Sequence, residues 1–334
     1  MNKILIVKPS FDNGNIGDLA LINTIQKLYN YPYFIPDSKL ELNNQNVKNY
    51  DLIIYFGNDC IPYYSSCVPY IKIKEFLKNN KKVHIINTSW GNNPKNKNIN
   101  LLKSIANDPN FQIYMRDKYS HELIQKDIKF YNTPILTADL AFLCKQNKNN
   151  KIDKLENWMN ENDKPIIGIN THYDFKEYNN KVRIEIEKII IDNKDKYRYL
   201  FIPHDSRKKE FEDLQQLHKS CNEIDGYTTN YLDPEYEKYI TSKLYLVITG
   251  RMHLSILTIP NEVPCIAIAY NGIKAKGTFE HWGISNLVIE PKNIKNLPNL
   301  VQYIIDNYEM IQDKIKSNKD NVKKLVNKQI IKFI

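Results

Sequence analysis

Only five of the 47 lysines and arginines in this chain are arginine: Arg116, Arg183, Arg198, Arg207 and Arg251. One of them stands in "VITGRMHLSILTI", two residues before His253 and just after an apolar run that reads as a buried strand. The arginine fork matches a phosphate or carboxylate in two-point contact. Histidine offers a proton near neutral pH. In a regular helix, positions i and i+2 point about 200° apart. Arg251 and His253 therefore converge on one ligand most easily at a strand-to-helix junction, where the helix N-terminus adds positive potential. The spacing alone fits equally well an arginine paired with a surface carboxylate and a capped core histidine.

Four other strand-end segments hold similar residue types. In "FDNGNIGDLAL", Asn15, Gly17 and Asp18 precede or open a helix, whose free N–H groups suit an anion or a network of sugar hydroxyls. The segment is not G-x-G-x-x-G, so it does not point to a dinucleotide site. Asp18 in that place suits an N-cap as well as an active-site carboxylate. "YMRDKYS" carries Arg116 beside Asp117, "FIPHDSR" carries His204, and "YNGIKAKGTFEHWG" carries Lys274, Lys276 and His281. Each of these also reads as ordinary surface or capping chemistry. His84, His121, His172 and His218 show no paired spacing, and no zinc-binding histidine motif occurs, so no metal is expected.

The elements that would carry these loops alternate. "KILIVK", "DLIIYF", "KVHIINTSWG", "FQIYMRD" and "PILTADLAF" read as strands or strand ends, separated by stretches of helical periodicity. After a polar, Asn/Lys-rich stretch at "CKQNKNNKIDKLENWMNENDKP", read as a linker, the pattern restarts with "PIIGINTH", "RYLFIPHD", "LYLVITG" and "PCIAIAY". This rhythm predicts α/β architecture with parallel sheets. The expected division is 1–150, 151–292 and a basic helical tail, 293–334, packing back on the first domain. In such sheets ligands bind at the carboxyl ends of strands.

Composition narrows the classes. Hydrophobic content of 42% is that of a globular protein, and no apolar run approaches the roughly 20 residues of a spanning helix. The opening apolar run is too short for a secretory signal, so a cytoplasmic protein is expected. The five cysteines are scattered without a C-x-x-C pair, which points to free thiols. The net charge of +9 is spread over lysines among asparagines, without an aromatic-interleaved basic block, so no nucleic-acid partner is expected.

Taken in order, "NIGDLAL", "MRDKYSHELI", "TADLAF", "TGRMHLSILTIPNEVPCIAIAY" and "KAKG" resemble the polysaccharide pyruvyl transferase family. The resemblance rests on Asn15, Gly17 and Asp18; Arg116, Asp117 and Ser120; Asp139; Arg251 and His253; Val263 and Pro264; Tyr270; and Lys274 with Gly277. It departs at "FGNDC", where Asn58 and Asp59 stand in place of a glycine run. It departs again between Tyr270 and Lys274, which are one residue further apart than the common form, so that Lys276 could stand in for Lys274.

The resemblance implies two Rossmann-like domains facing a cleft, in a glycosyltransferase-B-like arrangement. It implies transfer of the pyruvyl group of phosphoenolpyruvate onto two sugar hydroxyls, giving a cyclic ketal and phosphate, with no cofactor. Arg116 and Arg251, aided by Lys274 or Lys276, are expected to hold the donor. His253 is expected to be the acid and Asp18 a base. Asn15, Gly17, Asn58, His204 and Tyr270 are expected to line the acceptor side. The acceptor could be lipid-linked. Two alternatives are a nucleotide-sugar glycosyltransferase of the same architecture and a non-enzymatic glycan- or membrane-surface-binding protein. The last draws on the tail, where Ile311, Ile315, Val322, Val326 and Phe333 fall near one face of a lysine-rich helix that could lie on an anionic membrane.

Overall fold

The computed structural model describes residues 4–8, 14–29, 35–36, 49–57, 60–61, 68–90, 96–149, 151–172, 175–269 and 272–330. They form two compact units. One comprises residues 1–12, 25–140 and 320–334, the other residues 13–24 and 141–319.

The first unit holds a parallel sheet of β1 (Ile4–Lys8), β2 (Ile35–Pro36), β3 (Leu52–Phe56), β4 (Cys60–Ile61), β5 (Lys82–Trp90), β6 (Phe111–Met115) and β7 (Ile135–Leu136). Its order is β2-β1-β3-β5-β6-β7, with β4 beside β5. The strands read as nearly continuous apolar runs because both faces are covered. Leu5, Val7, Ile53, Tyr55, Val83, Ile85 and Ile113 pack into one core with Tyr70, Ile73 and Phe76 of α2 (Val68–Lys78) and Leu102 and Ile105 of α3 (Asn96–Ala106). Helix α4 (Lys118–Asp127) follows β6 and is capped by Asp117, whose carboxylate accepts from the Ser120 N–H.

The second unit holds six parallel strands, β8 (Ile166–Asn170), β9 (Arg198–Phe201), β10 (Gly226–Thr228), β11 (Leu246–Thr249), β12 (Cys265–Ile268) and β13 (Val288–Ile289), in the order β10-β9-β8-β11-β12-β13. From β8 the chain steps outward one way, through α6 (Asn179–Asp192) to β9 and through α7 (Lys208–Ser220) to β10. It then returns through α8 (Pro234–Thr241) to β11 and steps outward the other way through α9 (Met252–Thr258) and α10 (Gly272–Glu280). The strand order reverses between β8 and β11. A crevice opens outside the carboxyl ends of two such strands, because the connections leave them in opposite directions.

Three sequence expectations need comment. The stretch read as a linker folds in part into α5 (Asp153–Met159), which buries Leu155, Trp158 and Met159. The Trp158 indole donates to Asp225, and the Arg198 guanidinium lies 4.1 Å over its ring, so a polar composition conceals a core-forming tryptophan. The tail is helical as read, in α11 (Leu297–Asp306) and α12 (Tyr308–Asn327). Ile311, Ile315, Val322 and Val326 of its apolar stripe are buried in the protein, while Phe333 lies outside the described residues. Among the described residues no helix is long and apolar enough to cross a membrane. The thiols of Cys144, Cys221 and Cys265 are buried and not joined in disulfides.

Candidate active site

The reversal point of the second sheet carries a dense polar network. Asn170 ends β8, and its amide donates to the Ile202 carbonyl at 2.9 Å and to Glu210 Oε1 at 3.0 Å. Its carbonyl oxygen accepts from Thr249 Oγ1, at the end of β11, at 3.0 Å. Glu210, in the first turn of α7, is fully buried. Its Oε1 also accepts from the His204 backbone N–H at 2.8 Å, and its Oε2 accepts from Arg251 Nε at 2.8 Å and from Arg251 Nη2. Arg251 Nη2 reaches Asp205 at 3.2 Å as well. Asp205 is gripped in turn by Arg207, through Nε at 2.8 Å and through Nη2. Burial alone would raise the Asp205 carboxyl pKa, but Arg207 and Arg251 outweigh it and hold it below the ordinary aspartate value. Two guanidinium groups and two carboxylates thus interlock where three strands end. The edge of the Arg251 fork that carries Nε and Nη2 is engaged by the protein's own acids.

The "NIGD" turn docks onto this network. Asn15 forms a bridge with Asp205, Ser206 N–H donates to the Gly14 carbonyl at 2.7 Å, and Ile16 N–H donates to the His204 carbonyl at 3.2 Å. Helix α1 (Ile16–Tyr29) starts here. Asn15 Oδ1 accepts from the Gly17 N–H at 2.9 Å, so Asn15 takes the capping role that Asp18 was equally suited to. Asp18 lies inside the first turn, where its charge favours the helix dipole. Gly17 is buried against His253: a Cβ built on it would lie 2.2 Å from His253 Cγ and Nδ1. Gly250 has the same character, with His172 N and Phe175 Cζ at 2.6 and 2.7 Å from a built Cβ. Arg251 itself precedes α9, so Arg251 and His253 do sit at a strand-to-helix junction.

A second pair lies just behind. His204 Nδ1 and Glu237 Oε1, on α8, are 2.7 Å apart, both side chains essentially without exposure. Burial pushes the Glu237 carboxyl pKa up, and His204 offsets this only in part. Tyr231, in the loop before α8, feels this pair. Its hydroxyl is pushed up to about 12, by burial first and then by Glu237, Asp205, Asp233 and Asp18.

The structure thus groups Asn15, Gly17, Asp18, His204, Arg251 and His253. Lys274 and Lys276 stand on α10, which follows β12, the strand beside β11. Two residues apart on a helix, they do not share a face. The Lys276 ammonium lies 3.8 Å from Glu290, at the rim of a cavity of about 400 Å³ that Asn286 and Asn293 also line. Arg116 belongs to the first unit and is fully buried, with Nε donating to Ser89 at 2.9 Å and Nη1 to Asp139 at 2.8 Å. Asp117 beside it is buried too, and burial pushes its carboxyl pKa up against hydrogen bonds from Ser120 and Ser89 and the Arg116 charge. Neither is a surface charge. Asn58 and Tyr270 lie outside the described residues.

Sequence reading missed Asn170, Asp205, Arg207, Glu210, Tyr231 and Glu237. Asn170 had a signal, as the one polar residue closing "IIGIN". So did the acids flanking "HDSRKKE", which bracket an arginine at a helix start. Tyr231 and Glu237 had none, because their place depends on how α8 crosses back under the sheet.

The model of the family described as polysaccharide pyruvyl transferase matches residues 15–272. No curated protein matches the chain. Among solved structures, HepE from Anabaena in complex with UDP is similar at a TM-score of 0.64 and 10% identity, covering 98% of each chain. A putative UDP-N-acetylglucosamine 2-epimerase from Listeria monocytogenes is similar at 0.61 and 14%, over 94% of this chain and 90% of that one. The UDP-GlcNAc 2-epimerase from Neisseria meningitidis bound to UDP-GlcNAc is similar at 0.58 and 12%, over 98% of each. At these identities the likeness establishes the fold, two parallel α/β sheets of the glycosyltransferase-B-like kind.

Proposed function

Because the chain belongs to the polysaccharide pyruvyl transferase family, we propose that it moves the pyruvyl group of phosphoenolpyruvate onto two hydroxyls of a sugar, forming a cyclic ketal and releasing phosphate. The supporting observation is the docking of the "NIGD" turn onto His204, Asp205 and His253 at the reversal point of the second sheet. On this reading the Asp18 carboxylate, the His253 imidazole and the Arg207 and Arg251 guanidinium groups act at that reversal point.

The chemistry needs those types. The donor brings a phosphate and a carboxylate, and Arg251 and Arg207 set positive charge beside the acids that orient them. His253 delivers a proton to the methylene carbon, which makes C2 an oxocarbenium-like electrophile. One sugar hydroxyl attacks C2, phosphate leaves, and the second hydroxyl closes the ketal. Of the two hydroxyl protons, one balances the proton gained by the new methyl group and the other leaves on phosphate. A positioned acid accelerates such a step by roughly 10²–10⁴-fold. Asp18 is assigned as the base toward a hydroxyl. Lys274 assists with donor charge.

The direct test is incubation with phosphoenolpyruvate and a panel of glycans, following phosphate release and the mass of the ketal product. A panel with neither phosphate nor ketal would refute pyruvyl transfer. A second reading, glycosyl transfer from a nucleotide sugar, is favoured by the UDP and UDP-GlcNAc held by the solved relatives. Running the same panel with UDP-sugars separates the two by the product formed.

A further inference from the structure

We propose that Asn170 is the positioning residue of Arg251. It fixes the arginine's backbone through Thr249 and its guanidinium through Glu210, so that the fork is set before a ligand arrives. That the ligand is phosphoenolpyruvate rests on the pyruvyl-transfer reading above; the positioning itself does not.

Asn170 is the last residue of β8 and is fully buried. Thr249, the last residue of β11, stands opposite it across the reversal point of the sheet. Two paths run from this one amide to Arg251. On the first, Asn170 Oδ1 accepts from Thr249 Oγ1 at 3.0 Å, and Thr249 Oγ1 accepts from the Arg251 backbone N–H at 2.8 Å. On the second, Asn170 Nδ2 donates to Glu210 Oε1 at 3.0 Å, and Glu210 Oε2 accepts from Arg251 Nε at 2.8 Å. The other amide hydrogen goes to the Ile202 carbonyl at 2.9 Å, just past the end of β9. One side chain therefore joins the ends of three strands and both halves of Arg251.

The surroundings ask for an amide. They present a carboxylate and a carbonyl, which only accept, and a hydroxyl with a hydrogen to give. Asparagine supplies two hydrogens and one oxygen to match, and the two acceptors fix which end is nitrogen. Leucine has a similar volume but answers none of the three groups, and a buried polar group without a partner is costly. The gain is in preorganisation. A long side chain held in place beforehand loses less freedom when it takes up a ligand, so a fixed arginine binds more tightly than a loose one. Asn170 acts on ligand binding in this way without touching the ligand.

Four proteins test the proposal: the wild type, Asn170→Leu, Thr249→Val and Thr249→Ser. Each is followed by phosphoenolpyruvate calorimetry, thermal unfolding and a crystal structure of the full chain. Thr249→Val keeps the shape of the side chain and cuts the first path, whereas Thr249→Ser keeps the hydroxyl. Binding is expected to weaken about tenfold in Thr249→Val and at least as much in Asn170→Leu, roughly the worth of one hydrogen bond. Thr249→Ser should bind as the wild type does. In the crystals Arg251 should be displaced in the first two variants and in place in the third. Asn170→Leu and Thr249→Val with a lowered Tm, wild-type affinity and Arg251 unmoved would overturn the proposal, since the two residues would then serve stability alone. A wild type that binds no phosphoenolpyruvate would instead sink the pyruvyl-transfer reading. The position of Arg251 in the crystals would still decide whether Asn170 sets it.

Discussion

Gly17 lies so close to His253 that a methyl group on it would sit 2.2 Å from the imidazole Cγ and Nδ1. The glycine is present for this approach: a side chain of any size would push the ring away from the turn that carries Asp18. Gly17→Ala should therefore displace His253 or lift the start of α1, at a cost of about 1–3 kcal/mol. Phosphoenolpyruvate turnover should fall at least tenfold. The check is a double variant. Gly17→Ala combined with His253→Ala should recover most of the lost thermal stability while staying inactive, and additive losses would show that the contact is not what matters.

Glu210 is the buried carboxylate on which Arg251, Asn170 and the His204 backbone meet. Removing it takes one of two carboxylates from Arg251, and an acceptor from the Asn170 amide and the His204 N–H. Glu210→Ala should lose about 3–5 kcal/mol, and Glu210→Gln less, because the amide oxygen still accepts. Denaturant unfolding of the two variants measures this. Equal losses would mean that the charge, which both variants remove, carries the effect and that the retained volume and amide oxygen add little.

Much of the fold was legible because parallel strands buried on both faces read as apolar runs, and helices announce themselves by period. "LVIT", "CIAI" and "LIIYF" are strands for that reason. The catalytic candidates Arg251 and His253 were legible because a strand end followed by a helix start is a local pattern. What escaped is non-local. Glu210 meets Arg251 across 41 residues, and Glu237 meets His204 across 33, distances at which no periodicity operates. The "KLENWM" helix escaped for the opposite reason, since its polar residues outnumber the Leu155, Trp158 and Met159 that bury it.

His84, in β5, offers a pH test. Burial first, and then the Lys82 charge, lower its pKa from the ordinary 6.5 to about 4. The folded protein therefore keeps His84 neutral in a range where the unfolded chain binds a proton. Its contribution is complete above pH 6.5 and is lost as the pH falls toward 4, about 3 kcal/mol in all. Replacing His84 by Phe should flatten the loss of stability over that window, measured by urea midpoints between pH 7 and 4. An unchanged slope would exclude His84 as its source.

Arg116 and Asp139 form an ion pair with no exposure on either side, and Ser89 Oγ accepts a hydrogen bond from Arg116 Nε. Arg116→Ala would take the guanidinium away from the buried Asp139 carboxylate. Breaking such a pair from one side costs about 3–5 kcal/mol, which corresponds to a fall in Tm of roughly 10 °C. Asp139→Asn should cost less, since the amide oxygen still accepts from Arg116 Nη1. Stability and donor binding separate in Arg116→Lys. The lysine keeps the charge opposite Asp139 but loses the fork that reaches Ser89 and Asp139 together. If Arg116 also holds the donor, Arg116→Lys should weaken phosphoenolpyruvate binding well beyond its modest change in Tm. If binding and Tm fall in step, the arginine serves the folded first unit alone, and the donor must be held by Arg251 and the groups around it.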